Sequence, residues 1–238
     1  MKRIRLLGAT LLASTTLLGA ASAFAEVSQP AEGNPNTAQT PISAELTVNQ
    51  TPDKPEPPKG PDEGGTDEGT GITGLFGIAY APKALSGTAE LQEKGQTEVS
   101  LTNNSATNTN NKYNVGVQDK TRAKDRNWTL SAQLEWTDDT QGYMEGATIT
   151  ASEGNAKLND GKGNLSEITE GEVTTAAASL TIQKDAPTTI LTAQKGKTVN
   201  GVYNYQFKDP KLVIPTSENV AAGTYSGNIN WTLSDVME

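Results

Sequence analysis

Asn127-Trp128-Thr129-Leu130-Ser131 and Asn230-Trp231-Thr232-Leu233-Ser234 are two copies of one pentapeptide in a chain with only three tryptophans, the third being Trp136. Around the first copy, Trp128, Leu130, Ala132, Leu134 and Trp136 occupy every second position, with Thr129, Ser131, Gln133 and Glu135 between them. Around the second, Tyr225, Gly227, Ile229, Trp231 and Leu233 alternate with Ser226, Asn228, Asn230 and Thr232. A period of two sends one set of side chains to one face of a sheet, so each copy predicts an amphipathic strand with an aromatic-rich face. On such a face a Trp reads first as core, and burying each one stabilises the fold by several kcal/mol.

Outward from these strands the pattern repeats. Residues 97–101, 113–117, 147–151, 179–182, 189–192, 203–207 and 211–214 are rich in Val, Ile, Thr and Tyr. Turn-forming residues separate them, among them Asn103-Asn104-Ser105, Asn159-Asp160-Gly161, Asn200-Gly201, Asp209-Pro210 and Ala222-Gly223. Only residues 173–178 hint at a short helix. The expectation is an all-β fold, an antiparallel β-sandwich over residues 75–238, because no helical stretch separates the strands as a parallel sheet would need.

Residues 26–74 predict a linker. Eight prolines from Pro30 to Pro61 are followed by an acidic, Gly-rich run through Gly71, a composition that buries too little apolar surface to offset chain entropy. Within it, Ile42-Ser43-Ala44-Glu45-Leu46-Thr47-Val48 alternates for one strand's length. This segment is either an edge strand docked on the main domain or a transient extended segment, and docking is the favoured expectation because an isolated strand is unstable. Residues 1–25 have the three parts of a signal peptide: Lys2, Arg3 and Arg5, then an apolar stretch from Leu6 to Leu18, then Ala23-Phe24-Ala25. The apolar stretch is shorter than the roughly 20 residues a transmembrane helix needs, and no second one follows, so no membrane span is expected.

With no Cys there is no disulfide framework, lipid-anchoring thiol or thiolate metal site. No Leu-Pro-x-Thr-Gly-type sorting sequence is present, so retention at a cell surface would be non-covalent. The formal charge of −9 becomes −12 without the three leader cations; residues 26–74, with nine acids against two lysines, carry −7 of it and residues 75–238 carry −5. That sign disfavours nucleic acid and bulk attraction to anionic wall polymers.

Catalytic chemistry is sparse. The absence of His and Cys removes Ser-His-Asp and Cys-His catalysis and His-based zinc sites. Asp138, Asp139 and Glu135 offer the paired carboxylates of a glycosidase, but Asp138-Asp139-Thr140-Gln141-Gly142 reads as a solvated hairpin turn. Residues 159–164, Asn-Asp-Gly-Lys-Gly-Asn, lack the acid spacing of a calcium loop and also read as a turn. No enzyme activity, cofactor or metal follows. Lys120, Arg122, Lys124 and Arg126 share the parity of Trp128, yet buried unpaired cations are too costly. The chain must therefore turn between residues 119 and 127, presenting them on a loop that is either solvated or a candidate anion contact.

Two Trp-x-Leu motifs about a hundred residues apart, the distal one after Ala222-Gly223-x-Tyr225-x-Gly227-x-Ile229-x-Trp231, resemble the WxL-domain surface proteins of low-GC Gram-positive bacteria. Val117-Gln118-Asp119-x-x-Arg122 and Gly74-Leu75-Phe76-Gly77 agree with that resemblance. It implies a secreted surface protein attached non-covalently to the cell wall, with peptidoglycan or a partner wall protein as ligand. It also carries Trp128, Leu130, Trp231 and Leu233 over as motif residues, whether they touch ligand or build the core. The alternative is an adhesive or structural subunit of a surface complex that binds host matrix or an extracellular polymer.

Overall fold

The computed structural model describes residues 38–60 and 62–235. The expected signal peptide and the start of the linker lie outside these residues. Two units are distinguished, one ending at Glu45 and the other starting at Leu46. Of the first, residues 38–45 have no regular secondary structure. The second holds twelve strands among its described residues and no helix: β1 (Asp67–Gly69), β2 (Phe76–Pro82), β3 (Thr97–Ser100), β4 (Lys112–Asp119), β5 (Trp128–Trp136), β6 (Thr148–Asn159), β7 (Leu165–Glu167), β8 (Val173–Thr175), β9 (Leu180–Ile182), β10 (Thr188–Ala193), β11 (Gly201–Ile214) and β12 (Gly227–Asp235).

These strands form two antiparallel sheets. The larger runs β1-β2-β4-β11-β6-β7, with β3 added to β11 and β9 to β6; the smaller runs β12-β5-β10-β8. From β4 to β12 the chain crosses repeatedly between the two sheets, which therefore cannot separate into independent halves. The expected all-β sandwich is present.

Between the sheets, Trp128, Leu130, Ala132 and Leu134 of β5 meet Tyr113, Val115 and Val117 of β4 and Tyr203, Tyr205 and Phe207 of β11, all buried. Stacking of Tyr205 on Phe207, with ring centroids 5.9 Å apart, continues this aromatic layer along β11.

Several local expectations are corrected. Residues 173–175 form β8 rather than a helix, because Val173, Thr174 and Thr175 are β-branched and pair with β10. Asp209-Pro210 is not a turn between two strands but a bulge inside the 14-residue β11. Asp209 takes a positive φ of 49° there, and Pro210, which has no N–H to give, sits where the register slips. Across the bulge β11 changes partner from β4 to β3. The Asp138-Asp139 segment is likewise no hairpin: it carries the chain from β5 in one sheet to β6 in the other.

The stretch expected as a solvated linker differs most. Asp67–Gly69 pairs with β2 as β1, and Pro55 and Pro58 are buried. The carbonyl of Glu56 accepts from Asn159 Nδ2 at 3.0 Å, its amide donates to Gly161 O at 3.0 Å, and the carbonyl of Asp53 accepts from Lys120 Nζ at 2.9 Å. Residues 53–60 and 62–67 thus form a strap over the second face of the large sheet. Prolines are well suited to this, since a strap held through its carbonyls needs few N–H donors. By contrast, residues 42–48 form no strand, and Ile42 and Leu46 are 94% and 92% exposed. The expected edge strand is therefore not formed, and the segment has the extended, unpaired character of the other alternative.

Beneath the strap lies a buried polar network. Tyr80 Oη donates to Asn204 Oδ1 and accepts from Asn159 Nδ2, both at 2.9 Å. Asn204 Nδ2 donates to Asn114 Oδ1 at 2.9 Å, and Asn114 gives its backbone N–H and Nδ2 to the Asp67 carboxylate at 3.1 and 2.9 Å. Burial pushes the Asp67 carboxyl up from its ordinary 3.8 to about 6, against the lowering effect of those two Asn114 hydrogen bonds. Gly116 makes room for Tyr80: a Cβ there would lie 2.2 Å from the Tyr80 ring.

Candidate functional site

The two pentapeptide copies, remote in sequence, are neighbours in space. β12 pairs antiparallel with β5 along its whole length, from Gly227 opposite Trp136 to Asp235 opposite Trp128. Leu130 faces Leu233, Thr129 faces Ser234 and Ser131 faces Thr232, so an approximate two-fold axis passes through the leucine pair. The alternation decides which way the copies point. Trp128, Leu130, Trp231 and Leu233 all turn toward the core, and the hydroxyl and amide residues between them turn outward.

The two tryptophans are not equivalent. Trp128 is fully buried, with the Tyr203 ring 5.8 Å and the Phe76 ring 6.5 Å away. Its Nε1 donates to Thr198 Oγ1 at 3.2 Å, and Thr198 Oγ1 donates to Asp119 Oδ2 at 3.0 Å. Asp119 holds its own loop with its other oxygen, accepting from the Thr121 amide and hydroxyl at 3.2 and 2.7 Å. Trp231 lies on the outermost strand of the small sheet. It packs on Phe207 at 6.2 Å but is only half-buried, as are Ile229 and Leu233.

The segment from residue 120 to 127 does leave the strand as required, with Arg122 at a positive φ of 57°, but it does not gather four free cations. Arg126 turns inward, its guanidinium 3.9 Å from the Phe76 ring centroid and paired with the Asp235 carboxylate, with Nε 3.0 Å from Oδ2. Lys120 is spent on the strap through Asp53 O, and burial draws its ammonium below its ordinary range, which Asp53 only partly offsets. Arg122 and Lys124 remain exposed.

Sequence reasoning missed Phe76 and Asp235, the two groups that make a half-buried Arg126 tolerable. Asp235 shares the parity of Trp231 and Leu233, which is the one signal that placed it on the inward side.

The carboxylates considered for catalysis are engaged in holding loops. Asp139 accepts from the amides of Tyr143 and Met144 at 2.8 and 2.9 Å, and Asp138 from the amide of Ser226 at 2.6 Å. Glu135 accepts from Asn230 Nδ2 at 2.7 Å, joining β5 to β12 on the outer face. Asp160 binds the amides of Lys162 and Asn164 at 2.7 and 3.1 Å, which makes residues 159–164 a closed turn.

A family model for the WxL domain, described as surface cell wall-binding, matches residues 33–236. The chain belongs to the WxL-domain family. No curated protein and no solved structure matches it. In this WxL domain the two motifs that carry the name form one two-stranded unit, the proximal in the interior of the small sheet and the distal on its margin. The membership makes this a cell-surface, wall-binding domain in the coarse sense, and no helix among the described residues is long and apolar enough to cross a membrane.

Proposed function

We propose that this WxL domain is secreted and holds non-covalently to the bacterial cell wall, through peptidoglycan or a partner wall protein, and that it has no catalytic role. The observation that carries the reading is the direction of the two motifs. Their tryptophans and leucines are occupied by the core, so the surface they build is the outward face of β5 and β12. Ser131, Gln133, Asn230 and Thr232 lie there with Glu135 as the one charge on that face of the two strands, Asp235 being turned inward to Arg126. Neutral hydroxyls and amides on a flat sheet suit sugar hydroxyls and peptide amides, and they avoid the repulsion that an acidic domain meets at an anionic wall. The lysine and arginine loop is a poorer contact, since Arg126 and Lys120 are already committed.

Retention on isolated sacculi, with and without prior stripping of wall proteins, tests this. Binding is expected to survive molar salt and yield to denaturant. A Ser131→Glu/Thr232→Glu variant that keeps its melting temperature is expected to lose it. Lys120→Ala/Arg122→Ala/Lys124→Ala is expected to leave it intact. Release by salt alone, where exposed charge pairs are screened beyond about 10 Å at 0.1 M, argues for the cationic loop instead. Loss of binding on stripped sacculi assigns the contact to a partner protein.

A further inference from the structure

The margins of a β-sheet expose unpaired N–H and C=O groups, and proteins keep such margins short, charged or covered. This domain follows the rule at β1, β7, β8 and β9, each three residues long, and at β3, which has four. β12 departs from it. It has nine residues, keeps an unbroken register with β5, contains no Pro or Lys and ends the small sheet. No loop among the described residues adds a backbone hydrogen bond to its outer side. Its inward side chains Ile229, Trp231 and Leu233 are left half-buried because no further strand covers their flank.

The chain also carries a strand's worth of sequence that joins neither sheet among the described residues. Ile42, Ala44, Leu46 and Val48 alternate with Ser43, Glu45 and Thr47, and these residues form no strand among those described. Among the described residues, Ile42 and Leu46 are the large hydrophobic residues left most exposed, at 94% and 92%. Pro41 and Pro52 bracket the segment, leaving a run between them close to the length of β12.

We propose that residues 42–48 of one molecule add as a fifth strand to the free margin of β12 in a second copy of this chain. The parity fits on both faces. Ile42, Ala44, Leu46 and Val48 continue the apolar row of Ile229, Trp231 and Leu233. Ser43, Glu45 and Thr47 continue the polar row of Asn228, Asn230 and Thr232, which leaves the segment's only charge in water. Each molecule has one donor segment and one acceptor margin, so the contact is head-to-tail and propagates into open chains unless the rotation closes a ring. This assembly goes beyond wall attachment and does not depend on it.

Sedimentation of the chain from Glu26 onward, over a wide concentration range, reads the proposal directly. Reversible growth in mass with concentration is expected, with the amides of β12 gaining protection from hydrogen exchange in the assembled species. Ile42→Asp/Leu46→Asp should weaken association about a hundredfold while leaving the melting temperature unchanged, since both side chains are exposed. A synthetic peptide of residues 40–50 should dissociate the assemblies, and the same peptide N-methylated at alternate residues should not. A chain that stays monomeric at every concentration overturns the proposal. So does association unchanged in the double Asp variant, or a monomer whose own segment 42–48 already protects β12.

Discussion

Trp128 and Trp231 carry the same pentapeptide into different surroundings, and their substitutions should separate accordingly. Trp128→Ala removes a fully buried indole, its aromatic neighbours and the hydrogen bond to Thr198. It should cost about 3–5 kcal/mol in urea unfolding. Trp231→Ala vacates a half-buried position on the sheet margin, and a cost of about 1–2 kcal/mol is expected. Equal costs would show that β12 is covered in solution. Asp67 gives the residue scale a second test. Its carboxyl is raised to about 6 in the folded chain, so the folded state holds its proton more tightly than the unfolded state does. The stabilisation from this group is therefore full below the ordinary 3.8 and is lost as pH rises through about 6. That is the reverse of a salt-bridged carboxylate, with a swing on the order of 2–3 kcal/mol. Asp67→Asn should flatten the dependence in melts across that window. A wild-type melting temperature that climbs smoothly over the same range, unchanged by the substitution, would contradict it.

At the scale of elements, β12 is the partner that completes β5. Deleting residues 225–238 strips one whole ladder from β5, takes Leu233 away from Leu130 and leaves Arg126 without Asp235. An unfolded or aggregating product is expected by circular dichroism and light scattering; a truncated chain with native-like melting would show the distal motif to be separable. These two strands were legible in the sequence because strict alternation survives where one face is buried and the other wet. Alternation does not report a strand buried on both faces. Asn114 of β4 and Asn204 and Gln206 of β11 are polar residues in such strands, yet they are buried in the network beneath the strap, and Gln118 is buried with its amide on the Gly74 carbonyl. The strap itself was hidden by composition, since prolines and carbonyls hold it in place of a hydrophobic run. Arg126 shows the remaining limit: the cost of a buried cation correctly predicted that the chain must leave the strand, but the Phe76 ring and the Asp235 carboxylate come from remote parts of the sequence. The outward face of β5 and β12, proposed here as the wall contact, was implicit in the same alternation that fixed the core.

For the molecule as a whole, the strap moves the boundary of the folded unit upstream of residue 75. A chain beginning at residue 50 is expected to melt with the longer chain. One beginning at residue 75 loses the partners of Asn114 and Gln206 along with buried Pro55 and Pro58, and should be less stable by several kcal/mol. Identical melting of the two truncations would reduce the strap to a passive cover. The pairing of the two motifs also sets an order of events. β5 finds its neighbour β12 only across roughly a hundred intervening residues, a loop whose closure must be met before the contact returns any energy. A chain emerging N-terminus first therefore cannot finish its small sheet until β12 is free. Acquisition of native structure is a late and comparatively slow step, on the order of milliseconds to seconds for such non-local topologies, and until then the polypeptide stays loose enough to be threaded.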